Sequence, residues 1–309
     1  MTAFDHLALL YRDAGELLAG TLSFVRAGLA ASEPVAVAVP GANLDRIRDG
    51  LGADAGRVTF HDMTRAGGNP GRILPAVLLA FANAHPDRPV RIVEEQVWPG
   101  RTPLEYPACV QHEALINAVF AGRAARILCP YDVAGLAPEA IDDAHRTHPA
   151  VITPEGRVAS PRYADPVALA ESFNLPLPDP PADATMIAVD LTGLAKVRAF
   201  VIDLAEAAGL GADRADDLMI AVNELATNTV AHTPGQGTLS AWTEGGDLVC
   251  QVRDGGHIAD PLAGRVPPPL TSSTGGRGLI LVNQLCDLVR VHSRPGATTI
   301  RLHMRLSAR

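Results

Sequence analysis

The sequence almost lacks lysine: of 26 basic residues, Lys196 is the one lysine and the others are arginine. Chemistries that set a lysine on a nucleotide phosphate, as Walker A loops and ordinary protein kinases do, therefore have almost no place in this chain. Cysteine is scarce as well. Cys109, Cys129, Cys250 and Cys286 form no CxxC pair, which argues against a structural zinc site or a redox motif, and four free thiols suit a reducing cytoplasm. No apolar run approaches the ~20 residues of a membrane span. The opening MTAFDHLALLYRD lacks the basic and apolar stretches of a signal peptide, so no targeting segment is expected. Excess positive charge is missing too: 15 basic residues face 22 acidic ones up to position 183, and 11 face 12 beyond it. Neither part suits a phosphate backbone, so direct nucleic-acid binding is not expected.

What is present points to two folded domains. With 309 residues, 47% of them hydrophobic, the chain has enough apolar material for two cores at roughly 150 residues each. Residues 174–184, NLPLPDPPADA, carry four prolines and can be neither regular helix nor central strand. They read as a semi-rigid linker between a domain at 1–173 and another at 185–309.

Ahead of the linker, short β-branched runs at 34–39, 57–62, 90–98 and 125–129 alternate with helical stretches near 15–31, 43–51, 70–84 and 103–120. This alternation predicts a parallel α/β sheet with buried strands. Past the linker the order changes. A strand at 186–191 precedes two helices at 194–208 and 212–231, a hairpin at 238–243 and 248–252, a helix from 277 to about 288, and a second hairpin at 289–293 and 298–306. Segregated strands and helices predict an α+β sandwich.

Three groups of residues in the second half could carry chemistry. In DDLMIAVNELATNTVAH, Leu218, Val222, Leu225 and Thr229 make one apolar stripe for the sheet. Glu224 and Asn228, four apart, are neighbours on another. A carboxylate can take a proton from a hydroxyl, and an amide oxygen one turn away suits Mg²⁺; such a pair is otherwise an ordinary solvated helix face. Next, Asp254 leads from a strand into Gly255 and Gly256, either a plain Asp-Gly turn or a carboxylate placed to read an adenine amino group. Third, 272–279 (SSTGGRGL) opens an apolar helix, either a flexible loop or a glycine-rich helix start whose free amides take an anion.

In this order and spacing the three groups resemble the N, G1 and G2 boxes of the GHKL (HATPase_c) ATP-binding superfamily, over about 185–306. NELATNTVAHT and GGRGLILVNQLCDLV are most similar to the anti-sigma-factor serine/threonine kinases. The resemblance implies a Bergerat α+β sandwich that binds ATP and Mg²⁺. It makes Glu224 the catalytic base, Asn228 the Mg²⁺ ligand and Asp254 the adenine-reading carboxylate, with Gly256, Gly276 and Gly278 where backbone passes close to ATP and Arg277 a possible phosphate contact. Ile258 stands where a full G1 box has a second glycine, and His232 reads as structural.

The first half carries Phe4-Asp-His6, Glu95, Trp98-Pro-Gly-Arg101 and Cys129-Pro-Tyr-Asp132. Over about 3–165 it resembles the MEDS sensory domain, which implies a degenerate RecA-like parallel sheet without its nucleotide loop. A small ligand or protein signal is expected near Glu95, Trp98, Arg101, Cys129 and Asp132, unless Trp98 and Cys129 are simply core. A metal held by Cys129, His112 and Asp132 has no ligand spacing behind it.

Together these imply a cytoplasmic regulator of transcription and signal transduction. A sensory domain would control an anti-sigma kinase that phosphorylates a STAS-type anti-anti-sigma factor, sequesters a sigma factor, or both. Two alternatives stay open: a non-catalytic partner-binding module, and the catalytic half of a histidine kinase. His145 and His148, the nearest upstream histidines, lie in a short segment ending at Pro149 and do not suit histidine autophosphorylation. A homodimer is left open.

Overall fold

The computed structural model describes residues 4–233, 236–268 and 276–306. The chain divides into two compact units, Met1–Phe173 and Asn174–Arg309.

The first unit is built on a seven-stranded sheet in the order β3-β2-β4-β5-β1-β6-β7. Its strands are β1 (Asp5–Tyr11), β2 (Val35–Val39), β3 (Val58–Asp62), β4 (Val90–Glu94), β5 (Ala125–Asp132), β6 (Ala150–Thr153) and β7 (Gly156–Ala159). All neighbouring strands run parallel except β7, which returns antiparallel on β6 at the edge. The RecA-like parallel α/β architecture thus stands. The opening residues, in which the sequence reading marked no strand, form the interior strand β1, between β5 and β6. DHLALLY is covered on both faces and so shows no clean alternation.

The expected helix at 70–84 is broken into Pro70–Ile73, a π-helical turn Leu74–Leu79 and Ala80–Asn83. Pro75 has no N–H to give to the α-helical ladder, and the hydrogen-bond spacing widens around it. The next helix begins at Tyr106 rather than near 103, with Pro107 in its first turn, where a proline's missing N–H costs nothing.

The second unit is a five-stranded antiparallel sheet, β11-β12-β10-β9-β8, backed by helices. Its strands are β8 (Thr185–Asp190), β9 (Gln236–Glu244), β10 (Asp247–Asp254), β11 (Leu288–Arg294) and β12 (Ala297–Arg305). Gly245 and Gly246 supply the two positive φ angles, 59° and 87°, of the tight β9–β10 turn. The helix Leu194–Ala208 stops at left-handed Gly209, where the Leu210 amide caps the Ala205 carbonyl.

The longest helix, Ala212–His232, buries Leu218, Val222, Leu225 and Thr229, the stripe read from the sequence, into one core with Leu239, Cys250, Ile300 and Leu302 of the sheet. The last helix, Gly278–Leu285, ends three residues earlier than expected because Cys286 turns extended toward β11. The proline-rich segment is tied to its own unit. Asn174 exchanges side-chain hydrogen bonds with the backbone of Ser293, and the Arg301 guanidinium donates to the Pro178 carbonyl.

Candidate functional site

A cavity of about 530 Å³ opens in the second unit, between the helix Ala212–His232, the ends of β10 and β12, and the start of the last helix. Asp254 closes one side, held from two directions. The Thr229 hydroxyl donates to its Oδ2 at 2.7 Å, and the Gly256 amide donates to its Oδ1 at 2.8 Å. Both contacts fix the plane of the carboxylate, and each oxygen keeps acceptor capacity toward the cavity. Thr229 was legible as a core residue; that it also orients Asp254 was not. Val252, Leu225, Ile258, Leu262 and Ile300 give the cavity apolar walls, and Asp260 is a second acid in its lining.

Asn228 lines the cavity one turn from Glu224, and both are half-buried. Gly278 opens the final helix directly against them. A Cβ there would lie 2.6 Å from Glu224 Oε2 and 3.6 Å from Asn228 Nδ2, so only glycine leaves the carboxylate its place. Gly256 is similarly confined, with Thr233 Cγ2 at 2.9 Å from the position of a Cβ. Gly276 lines the cavity with a φ of 90°, and Arg277 is exposed at the N-cap. Residues 272–275 of the glycine-rich loop lie outside the described residues.

Ile258 fits without strain. Its side chain packs against the core, and its amide donates to Ser293 Oγ at 2.8 Å. Its φ is not among the positive ones, so the backbone does not demand the missing glycine. His232 lies exposed on the cavity rim rather than in a structural niche.

In the first unit a pocket of about 380 Å³ lies beyond the carboxyl ends of β1, β2, β4 and β5, where parallel sheets bind ligands. Glu95, Trp98 and Asp132 line it together with Tyr11, Asn43 and Arg46. The Tyr11 hydroxyl donates to Glu95 Oε1 at 3.0 Å and Asn43 Nδ2 to Oε2 at 2.8 Å. Burial nevertheless raises the Glu95 pKa to about 7, against the pull of those two donors. Arg101 stands behind the pocket. Its guanidinium stacks over Trp98 at 3.7 Å and donates to the carbonyls of Gly67, Gly68 and Gln96, positioning the loop.

Cys129 is not part of this pocket. It is fully buried beside His6, Glu113 and His148, whose ligand atoms and its own all lie within 4.8 Å of one another. Among the described residues, Cys129, His112 and Asp132 do not form a group. His112 faces Glu94 at 2.8 Å in a buried pair, and Asp132 caps the amides of Ala134 and Gly135. Sequence reasoning missed His6, Glu113 and His148 as a set because they sit on three distant segments. His6 in the FDH opening was the one visible signal.

Among the described residues no helix is long and apolar enough to cross a membrane. Residues 5–149 match the family model of the MEDS domain, the methanogen/methylotroph DcmR sensory domain. Residues 187–304 match the model of the histidine kinase-like ATPase domain. A comparison with curated proteins gives no match. Among solved structures, the RsbU and RsbW domains of a Mycobacterium tuberculosis protein are similar at 22% identity and a TM-score of 0.32, over 42% of this chain. The match spans about a third (34%) of that chain's length. The chain therefore carries a MEDS sensory domain followed by a histidine kinase-like ATPase domain of the GHKL type.

Proposed function

We propose that the second unit binds ATP with Mg²⁺ and transfers the terminal phosphoryl group to a serine or threonine of a STAS-type anti-anti-sigma partner, or holds a sigma factor, under control of the first unit. The observation that carries this is the arrangement of the cavity: a doubly fixed Asp254 among apolar walls, and Asn228 and Gly278 in the same lining, with the Glu224 carboxylate against the Gly278 backbone just outside that lining. The apolar walls suit a purine, and Asp254 would accept from its exocyclic amino group. The start of the helix Gly278–Leu285, with Gly276 before it, offers free amides to phosphate oxygens, the anion site of a helix N-terminus. Arg277, exposed at that end, would add its charge.

The donor set fits a magnesium ion, a hard cation that takes an amide oxygen and otherwise phosphate and water. Asn228 would hold it, and when bound it neutralises phosphate charge. Glu224 accepts the proton of the incoming hydroxyl as its oxygen bonds to the γ-phosphorus, and ADP departs with the electron pair of the cleaved bond. No lysine is needed, because backbone amides and the metal supply the positive field. The Glu95 pocket would receive the controlling signal, a small molecule or a protein segment. Burial of His148 speaks against autophosphorylation at that residue, since a phosphoacceptor must reach solvent, and leaves open a histidine acceptor on a separate protein.

The test is phosphotransfer from radiolabelled Mg-ATP to a STAS-domain protein by wild type and Glu224→Ala. Loss of about 100-fold or more in rate, with ATP still bound, is expected for removal of a general base. Equal rates would remove Glu224 from that role. Partner capture without turnover in either protein would select the non-catalytic binding module.

A further inference from the structure

We propose that His6, Glu113, Cys129 and His148 of the first unit hold a single zinc ion. The four come from four places in the fold: His6 from β1, Cys129 from β5, Glu113 from the helix Tyr106–Val119, and His148 from the residue just before Pro149 and β6. None is more than 1% exposed. The absence of a CxxC pair does not bear on such a site, because only the fold brings its ligands together.

Hydrogen bonding fixes which ring nitrogens face inward. Asn117 Nδ2 lies 2.8 Å from the Thr147 carbonyl and 3.2 Å from the carbonyl of Ala114 in its own helix, and only the amide NH₂ can serve both. Asn117 Oδ1 therefore faces His6 Nδ1, at 3.1 Å, and His6 Nδ1 carries the proton. His148 Nδ1 lies 2.9 Å from the Ala144 carbonyl, which can only accept, so it carries a proton as well. In neutral imidazoles both Nε2 atoms then present lone pairs, and both point at the same oxygen. Each is 3.4 Å from Glu113 Oε2, and His6 Nε2 is 3.3 Å from Cys129 Sγ. Among the described residues neither Glu113 oxygen nor His148 Nε2 has a hydrogen-bond partner.

Electron-pair donors facing one another in a buried space are brought to low energy by a shared cation. The spacing suits zinc. Nitrogen and oxygen ligands at about 2.0–2.1 Å in a tetrahedron stand about 3.3–3.4 Å apart. Two neutral imidazoles, a thiolate and a carboxylate balance a divalent charge. A thiolate with imidazoles favours zinc over the hard cations Mg²⁺ and Ca²⁺. Four protein ligands leave no open position, so the ion would pin the helix Tyr106–Val119 to the strands rather than do chemistry. Outer contacts from Asn117 and the Ala144 carbonyl orient the imidazoles as they do in known metal sites.

The experiment uses the full chain without a histidine tag. Elemental analysis of the purified protein should return about one zinc per chain. Replacement by Co²⁺ should give intense tetrahedral d–d absorption together with a thiolate-to-cobalt charge-transfer band, and Cys129→Ser should lose that band. If Cys129→Ser fails to fold, the wild-type cobalt spectrum alone decides whether a thiolate ligates. Wild type that is folded, free of metal, and unchanged in unfolding midpoint by added zinc chloride or chelator would overturn the proposal. So would a His148→Ala, Cys129→Ala double variant that folds and retains its full zinc, which would place the ion elsewhere.

Discussion

Glu95 offers the sharpest quantitative test in the first unit. Its carboxyl is buried at the end of β4, and burial lifts its pKa from 4.5 to about 7 despite hydrogen bonds from Asn43 and Tyr11. The folded chain thus binds this proton more tightly than the unfolded chain. The stability it contributes is fully present below about pH 4.5, is lost as pH rises toward 7, and does not return above it. At 1.36 kcal/mol per unit the whole loss is about 3 kcal/mol, of which about 2–3 kcal/mol falls between pH 5 and pH 8. Glu95→Gln keeps the shape and removes the titration.

Urea unfolding of wild type and variant at several pH values, followed by Trp98 fluorescence in a Trp242→Phe background, reads the first unit alone. The variant should gain about 2–3 kcal/mol on wild type between pH 5 and pH 8. Curves that stay parallel to within about 0.5 kcal/mol would refute the buried-acid reasoning.

Gly278→Ala should separate folding from binding. Its Cβ would meet the end of the half-exposed Glu224 side chain, which can move, so unfolding free energy should change by less than about 1 kcal/mol. ATP affinity should fall at least about tenfold, seen by calorimetry, because Glu224 and the amide it adjoins are displaced together. Leu218→Ala removes a fully buried side chain from the sheet-facing stripe and should cost about 2–5 kcal/mol in denaturant unfolding of the second unit.

The second unit was the more legible half. Its helices are amphipathic, its hairpin turn is marked by paired glycines, and its candidate residues sit on local motifs, so Glu224, Asn228 and Asp254 could be singled out as candidates before any coordinates. Local spacing did not reveal that Thr229 orients Asp254, a contact across 25 positions. The first unit hid more. β1 is apolar on both faces, Pro75 splits an otherwise helical pattern, and Cys129 belongs with His6, Glu113 and His148 rather than with the pocket. Each of these depends on tertiary neighbours that periodicity does not encode. Glu95, Trp98 and Asp132 did converge, because loops after neighbouring parallel strands share one sheet edge.

The most direct test of the central claim is calorimetric titration of ATP into the full chain, with and without Mg²⁺, for wild type and Asp254→Asn. Saturable binding that weakens when Mg²⁺ is withheld, and at least about tenfold in Asp254→Asn, is the predicted result. Binding indifferent to both changes, or no binding, would contradict it.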